Sequence, residues 1–263
     1  MDNFVDNRDF EILEKDRYTF FVLRRILSEE CKFLLTDHRR LIICFSRDPF
    51  PVWVWTPDDA TDAEKENAYR LVTEKFPHGK GFRFNMKYGL ADHFIKKAAE
   101  EGTSLGILTN MLAYDCLEPV KPSAVADGNL HRCTAEDLDT LVEIIDSFQR
   151  EVGIDAGNTD TYRSDAMAFI GSGKMFFWKD ECGNCVASCK YSPNGDLASI
   201  NLVYTRPEFR RKHYAENLVY RVTELAKQDG LIPMLYTDAD YLASNACYAK
   251  IGYVLRGRLC TIG

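Results

Sequence analysis

Hydrophobic and polar positions divide the chain into two stretches, each with strand and helix periodicities. The periodic pattern is interrupted at LEPVKPSAVADGN, residues 117–129, where two prolines and several small residues stand together. Such a composition is typical of a linker between compact modules. We therefore predict a domain boundary there, with one module at 1–125 and a second at 128–263.

The second stretch predicts the element order β-α-α-β-β-β-α-β-α-β, which is an α/β layer fold. Thr134 and Asp137 have the spacing of a capping box at the start of an amphipathic helix. Gly230 is a suitable stop for a later helix that begins near Tyr214. A short helix around 161–170 and another at 242–250 complete the helices. The predicted strands are NLHRCT, KMFFW, VASCKY, LASINLVYT, IPMLYTD and the segment 253–262.

The first stretch repeats part of that order. PVWVWTPDDATDAEKENAYRLV and INLVYTRPEFRRKHYAENLVYRV both read as a strand, then Thr and Pro, a charged turn and a helix. The elements around the first of these segments follow the order β-β-β-α-β-α-β, as in the second stretch. The pattern therefore predicts two related modules. In the first stretch the other predicted strands are KFLLT, RLIICF, FRFNM and GILTNMLAY, and the other predicted helix is LADHFIKKAAE.

Composition limits the classes of partner. The chain has 263 residues, of which 46% are hydrophobic, and 40 acidic against 33 basic side chains give a net charge of -7. An acidic chain is not expected to carry a broad surface for nucleic acid, so any anion site should be local. No apolar run approaches the ~20 residues of a membrane span, and the acidic N-terminus lacks the apolar segment of a signal peptide. We expect a cytoplasmic protein without a membrane or nucleic-acid partner.

The nine cysteines are expected to be reduced and mostly buried. Cys182 and Cys185 have the C-x-x-C spacing of zinc and redox sites. However, a zinc site needs a second pair of ligands, and a redox thiol needs a helix N-terminus beside it. Two segments rich in strand-forming residues flank this pair, and Gly183-Asn184 is a sequence that favours a hairpin turn. We therefore predict a hairpin across which the two cysteines face each other, and no metal site.

A basic turn precedes the helix that begins near Tyr214. Arg210, Arg211 and Lys212 stand where the first N–H groups of a helix lack partners and the helix dipole is positive. Such an end binds phosphate. The alternative is a solvated basic turn that binds nothing.

A resemblance favours the phosphate site. Arg210 to Ala215 resembles the R-x-x-G-x-A turn of the GNAT N-acyltransferases, and SNACYAKIGY, 244–253, resembles their S-N-x-x-Y-x-K-x-G-F/Y motif. The resemblance covers 128–263 and implies a mixed, mainly antiparallel sheet flanked by helices. It also implies transfer of an acyl group from acetyl-CoA, the co-substrate, to a primary amine of a small molecule or protein. The implied cofactor-binding residues are Val203, Tyr204, Thr205, Arg210, Arg211, Lys212, His213, Tyr214, Ala215 and Asn245.

The same resemblance implies catalytic roles. Tyr248 corresponds to the general acid that protonates the departing thiolate, and the alternative is an interfacial aromatic residue. Backbone N–H groups at 203–205 would hold the thioester carbonyl and the pantetheine amides. Asp238 and Asp240 are candidates for a base or an amine-binding group, although exposed turn carboxylates are commoner.

Two residues depart from the family pattern. His213 stands where the family has glycine, so it either narrows the phosphate cradle or donates a hydrogen bond to it. Tyr241 stands where many members have asparagine, which leaves Asn245 as the amide for the cofactor arm. These departures keep a second hypothesis open, a catalytically silent GNAT-like scaffold for binding or regulation.

The corresponding turn of the first module has the opposite charge. Asp58, Asp59, Asp62 and Glu64 suit a helix N-terminus but would repel a pyrophosphate. We therefore predict that the first module lacks a cofactor site and serves as a packing surface or a substrate wall.

Overall fold

The computed structural model describes residues 1–29, 31–153 and 158–263. The helices are α1 (Asn7–Leu13), α2 (Phe21–Leu27), α3 (Asp62–Lys75), α4 (Tyr88–Glu100), α5 (Leu138–Glu151), α6 (Thr159–Gly171), α7 (Tyr214–Gln228) and α8 (Leu242–Ile251). The strands are β1 (Phe33–Thr36), β2 (Ile42–Phe45), β3 (Val52–Trp55), β4 (Phe84–Met86), β5 (Ile107–Asp115), β6 (Asn129–Arg132), β7 (Met175–Lys179), β8 (Cys185–Asn194), β9 (Leu197–Thr205), β10 (Ile232–Asp238) and β11 (Val254–Ile262). No helix among the described residues is both long and apolar enough to cross a membrane.

The chain forms two compact units. Unit 1 contains Met1–Ala113, Tyr236–Tyr241 and Leu255–Gly263, and unit 2 contains Tyr114–Leu235 and Leu242–Val254. A single cut near 117–129 therefore does not separate them. The reason is strand pairing: Cys260 to Ile262 of β11 pair with Met86 to Phe84 of β4, so the C-terminal segment completes unit 1 although it follows the second module in sequence.

Unit 1 buries both faces of its sheet. Strands β1, β2 and β3 pair antiparallel, and β3 pairs parallel with β4. Successive side chains of a strand point to opposite faces. Accordingly, Val52 and Val54 pack with α3 and α4, whereas Trp53 and Trp55 pack with the N-terminal helices. Helices α1 and α2 had no counterpart among the sequence predictions.

Unit 2 has the strand order β10-β9-β8-β7-β6 and is antiparallel except between β10 and β9. One face is covered by α7 and α8, and the other by α5 and α6. The capping box of Thr134 and Asp137 forms as predicted and leads into α5. The prediction of a mixed, mainly antiparallel sheet flanked by helices is confirmed.

The C-x-x-C segment forms the predicted hairpin but not the predicted pair. Cys185 lies opposite Lys179, whereas Cys182 is exposed in the turn. The carboxylate of Asp180 accepts hydrogen bonds from the N–H groups of Cys182 and Asn184, at 3.0 and 2.8 Å. This side-chain turn adds residues between the strands, so the expectation that the two thiols face each other is wrong.

Candidate active site

Strand β9 has an open edge next to β10. Their parallel pairing includes Ile232↔Leu197 and Pro233↔Ala198 and ends at Met234↔Ser199. We call the edge of β9 beyond this last pair, residues 200–205, the β9–β10 gap. On the other side of β9, pairing with β8 continues to Thr205. Apart from the Thr205 carbonyl, which accepts a hydrogen bond from Arg210, the β10-facing backbone groups at the end of β9 are therefore available to a ligand that inserts as an extra strand.

A bulge in β9 changes which face its side chains occupy. The register with β8 shifts between Ser188 and Lys190, and Leu202 has a positive φ of 52°. Before the bulge Ile200 packs with the α7 and α8 cluster, whereas Leu202 packs on the α5 and α6 side. Bulges unpair backbone groups and re-aim side chains near active sites. This one precedes Val203–Thr205, the segment assigned to the thioester and pantetheine.

The turn before α7 has the backbone of an anion site. His213, the residue at the N-cap, has φ 64° and ψ 8°, and no side chain caps the helix. A left-handed residue followed by helical residues points successive N–H groups toward one concave spot. The position thus has the conformation for which the family uses glycine.

Only part of the basic charge in this turn is directed outward. The Nε of Arg210 donates to the carbonyl of Thr205 at 3.1 Å, and its guanidinium pairs with Glu151. Arg211 is exposed, with φ 63°. The ammonium of Lys212 lies 5.2 Å from the ring centre of Phe209. In this state Arg211 and Lys212 supply most of the outward positive charge.

The side chains that follow anchor the helix start. Nδ1 of His213 lies 3.1 Å from Oε2 of Glu216, which is nearly buried. Tyr214 is buried, and its hydrogen bond to the Asp127 carboxylate, together with burial, raises its pKa to about 12. Tyr214 therefore offers a ligand its backbone N–H rather than its hydroxyl. Ala215 is half-buried beside it.

Helix α8 places Tyr248 in the apolar cluster that also includes Val203. Tyr248 is 7% exposed, and its ring lies 5.8 Å from that of Tyr253. Burial raises the pKa of Tyr248 well above its ordinary value, so its hydroxyl stays protonated at neutral pH. The hydroxyl of Tyr253 is bonded to Thr223 at 2.7 Å. Asn245 lies one helical turn before Tyr248 and is half-buried.

The equivalent turn of unit 1 is filled by its own ion pairs. The hydroxyl of Thr61 accepts the Glu64 N–H, and Glu64 accepts the Thr61 N–H, which forms a capping box at α3. Arg40 pairs with Glu64 and Asp59, and its hydrogen bond lowers the pKa of Glu64 to about 2. Lys87 pairs with Asp58 at 2.7 Å. The N–H groups of Thr61 and Glu64 at this helix start therefore have internal partners.

The ends of β3 and β4 in unit 1 are also bridged. Their parallel pairing ends at Trp53↔Asn85. Beyond it, the Asp16 carboxylate accepts hydrogen bonds from Nε1 of Trp55 and from Nζ of Lys87, all at 2.8 Å. One carboxylate therefore joins the two strand ends at the place that corresponds to the β9–β10 gap.

A model of the Acetyltransferase (GNAT) family matches residues 138–253, from the start of α5 to the residues after α8. Residues 138–253 form a GNAT acetyltransferase domain. The matched segment contains the β9 bulge, the basic turn and Tyr248. For the matched residues, this family implies acyl transfer to an amine.

Solved structures extend the likeness in fold beyond the GNAT domain. A GNAT-family acetyltransferase from Colwellia psychrerythraea has a TM-score of 0.61 at 12% identity and covers 99% of this chain and 98% of its own. A Drosophila protein has a TM-score of 0.68 at 14% identity, with 99% and 97% covered. A GCN5-related N-acetyltransferase from Kribbella flavida gives 0.66 at 14%, with 95% and 94% covered. No curated protein matches the chain.

The predicted site residues do not all belong to the same unit. The end of β9, the basic turn, Asn245 and Tyr248 all belong to unit 2, whereas Asp238, Asp240 and Tyr241 belong to unit 1. The carboxylate of Asp238 accepts the Asp240 N–H at 3.0 Å, as in an ordinary turn. Sequence reasoning missed Leu202 and Ser199. Strict alternation along LASINLVYT gave no signal of a bulge.

Proposed function

We propose that unit 2 is an acetyl-CoA-dependent N-acetyltransferase that acts on a primary amine of a small molecule or protein. One observation supports this most strongly: a single unit combines an open strand edge, a left-handed basic turn at a helix start and a buried, protonated tyrosine. These are the three elements that a thioester, a pyrophosphate and a leaving thiolate require.

The chain offers each part of the co-substrate a matching group. The N–H groups of His213, Tyr214 and Ala215 face a pyrophosphate, with Arg211 and Lys212 supplying positive charge. Arg210 joins them when it leaves Glu151. The backbone of Val203, Tyr204 and Thr205 pairs with pantetheine amides as a strand would. Asn245 serves the same arm.

Acetyl-CoA supplies an activated acyl thioester. The backbone N–H groups beyond the β9 bulge stabilise negative charge on the carbonyl oxygen because they are fixed before reaction. Tyr248 holds its proton in an apolar cluster and donates it to the departing sulfur. The amine must arrive neutral, and unit 1, without a cofactor site of its own, is proposed as a packing surface or substrate wall.

The second candidate is a silent scaffold. It is favoured by His213 in place of glycine and by the pairing of Arg210 with Glu151, which reduces the charge available to a phosphate. A scaffold would bind partners without turnover.

Turnover separates the two candidates. The full chain is mixed with acetyl-CoA and amines of distinct classes: an aromatic monoamine, a polyamine, a free amino acid and a peptide with an unblocked N-terminus. Mass spectrometry follows free CoA and the acetylated amine together. We expect both products in equal amounts with at least one amine. Acetyl-CoA binding without either product would support the scaffold and contradict the enzyme.

A further inference from the structure

Ser199 is a buried hydroxyl without a hydrogen-bond partner at the closed end of the β9–β10 gap. Its side chain is 4% exposed, and its Oγ has no partner among the described residues. It is also the last β9 residue paired with β10, opposite Met234. Buried hydroxyls are nearly always bonded, so an unbonded one next to a ligand site calls for a partner from the ligand.

The direction of the neighbouring side chains shows which face Ser199 occupies. Ala198 and Ile200 pack in the cluster under α7 and α8, so Ser199 and Asn201 lie on the opposite face, the side of α5 and α6. Asn201 is exposed there, and its Nδ2 lies 3.4 Å from the Ser199 carbonyl. This face is therefore open at Asn201 and covered at Ser199.

An amine that attacks an acyl group held in the plane of the sheet must approach from one face. The face under α7 and α8 is filled by Tyr248, Val203 and their apolar neighbours. The open side at Asn201 is the remaining approach. A nucleophile entering there is two residues along β9 from Ser199, which lies where the gap closes.

We propose that Ser199 is a substrate-contacting residue that accepts a hydrogen bond from the acceptor amine, with Asn201 lining the entrance. This assignment rests on the proposed function and extends it to the acceptor side. In the step, the amine nitrogen bonds to the acyl carbon and the carbon–sulfur bond breaks. One amine proton passes to solvent, the sulfur receives the proton of Tyr248, and Tyr248 regains a proton from solvent. The contact from Ser199 orients the nitrogen lone pair toward the acyl carbon.

The test compares Ser199→Ala with Ser199→Thr, which keeps the hydroxyl, and with Ser192→Ala. Ser192 is the cross-strand neighbour of Ser199 on β8, and its Oγ already accepts from Lys190 at 3.0 Å. Hydroxylamine serves as the amine because it is small enough to need no other contacts. Release of CoA is measured above the rate without protein, and calorimetry gives the acetyl-CoA Kd of each variant.

We expect Ser199→Ala to lose about tenfold in kcat/KM for hydroxylamine, the equivalent of one good hydrogen bond. Its acetyl-CoA Kd should match that of the wild type, and its Tm should not fall. Ser199→Thr should recover part of the rate, and Ser192→Ala should match the wild type. A wild-type kcat/KM in Ser199→Ala overturns the assignment, as does an equal loss of acetyl-CoA affinity. A wild-type chain that binds acetyl-CoA but releases no CoA contradicts the proposed function and this assignment together.

Discussion

The starts of α3 and α7 follow similar sequence patterns but differ in capping: a side chain caps the N–H groups of α3, whereas none caps those of α7. Each follows a strand, a Thr, a Pro and a charged turn. At α3 the N-cap Thr61 is extended and its side chain forms a capping box with Glu64. At α7 the N-cap His213 is left-handed and no side chain caps the helix.

The difference shows how a helix start can be either closed or open. A side-chain cap satisfies N–H groups internally and stabilises the fold. An uncapped start with basic neighbours leaves those groups for an anion. In unit 1 the strand ends are closed as well, because Asp16 bridges Trp55 and Lys87. The open version in unit 2 is the one that lies within the GNAT family match.

Reversing the charge in the open turn should have the largest effect. Arg210→Glu places a carboxylate next to the proposed pyrophosphate site, so acetyl-CoA affinity should fall by about 100-fold or more and its thermal shift should vanish. Glu151→Gln should instead keep or tighten binding, because it releases Arg210 from its ion pair. Arg221→Glu, on the exposed part of α7, controls for the charge change. Equal calorimetric affinity in Arg210→Glu and wild type would refute the phosphate site.

The next effect is catalytic. Tyr248→Phe keeps the ring in its cluster and removes only the proton donor, so kcat should fall by about 100-fold while acetyl-CoA KM changes little. Tyr253→Phe is the matched control, since its hydroxyl is bonded to Thr223. That variant should lose about 1 kcal/mol of stability and retain kcat. Wild-type kcat in Tyr248→Phe on a true acceptor would make this tyrosine a packing residue.

The left-handed N-cap can be tested without a ligand. His213→Gly removes the Cβ that disfavours φ 64°, whereas His213→Val adds a β-branch at the same position. The free energy of unfolding of the valine variant should be about 1–2 kcal/mol below that of the glycine variant. Equal denaturation midpoints would show that residue 213 does not hold this conformation in solution.

The smallest effect should come from the closed turn. Thr61→Ala removes the cap of α3 and should lower the free energy of unfolding by about 1 kcal/mol. Acetyl-CoA affinity, measured by calorimetry on the same preparation, should not change. Weaker binding in this variant would mean that the unit 1 turn takes part in holding the co-substrate.

Local patterns predicted much of unit 2. Strand LASINLVYT and strand IPMLYTD match β9 and β10 residue for residue, and the helix stop at Gly230, which has φ 79°, follows from backbone freedom. These features depend on short-range periodicity and turn chemistry, which a sequence displays directly.

Long-range features could not be read in the same way. The place of β11 in unit 1 depends on pairing with β4, far away in sequence. The bulge at Leu202 reverses an alternation that looks regular in the sequence. The partner of Arg210, Glu151, comes from another helix, so the motif alone could not show that its arginine is already paired.

The stoichiometry of acetyl-CoA binding tests the central claim most directly. Isothermal titration of the full chain should give one site per chain, and Arg210→Glu should abolish that site while Thr61→Ala leaves it intact. Two sites per chain, or one site that survives Arg210→Glu and is lost in Thr61→Ala, would contradict the assignment of an open turn to unit 2 and a closed turn to unit 1.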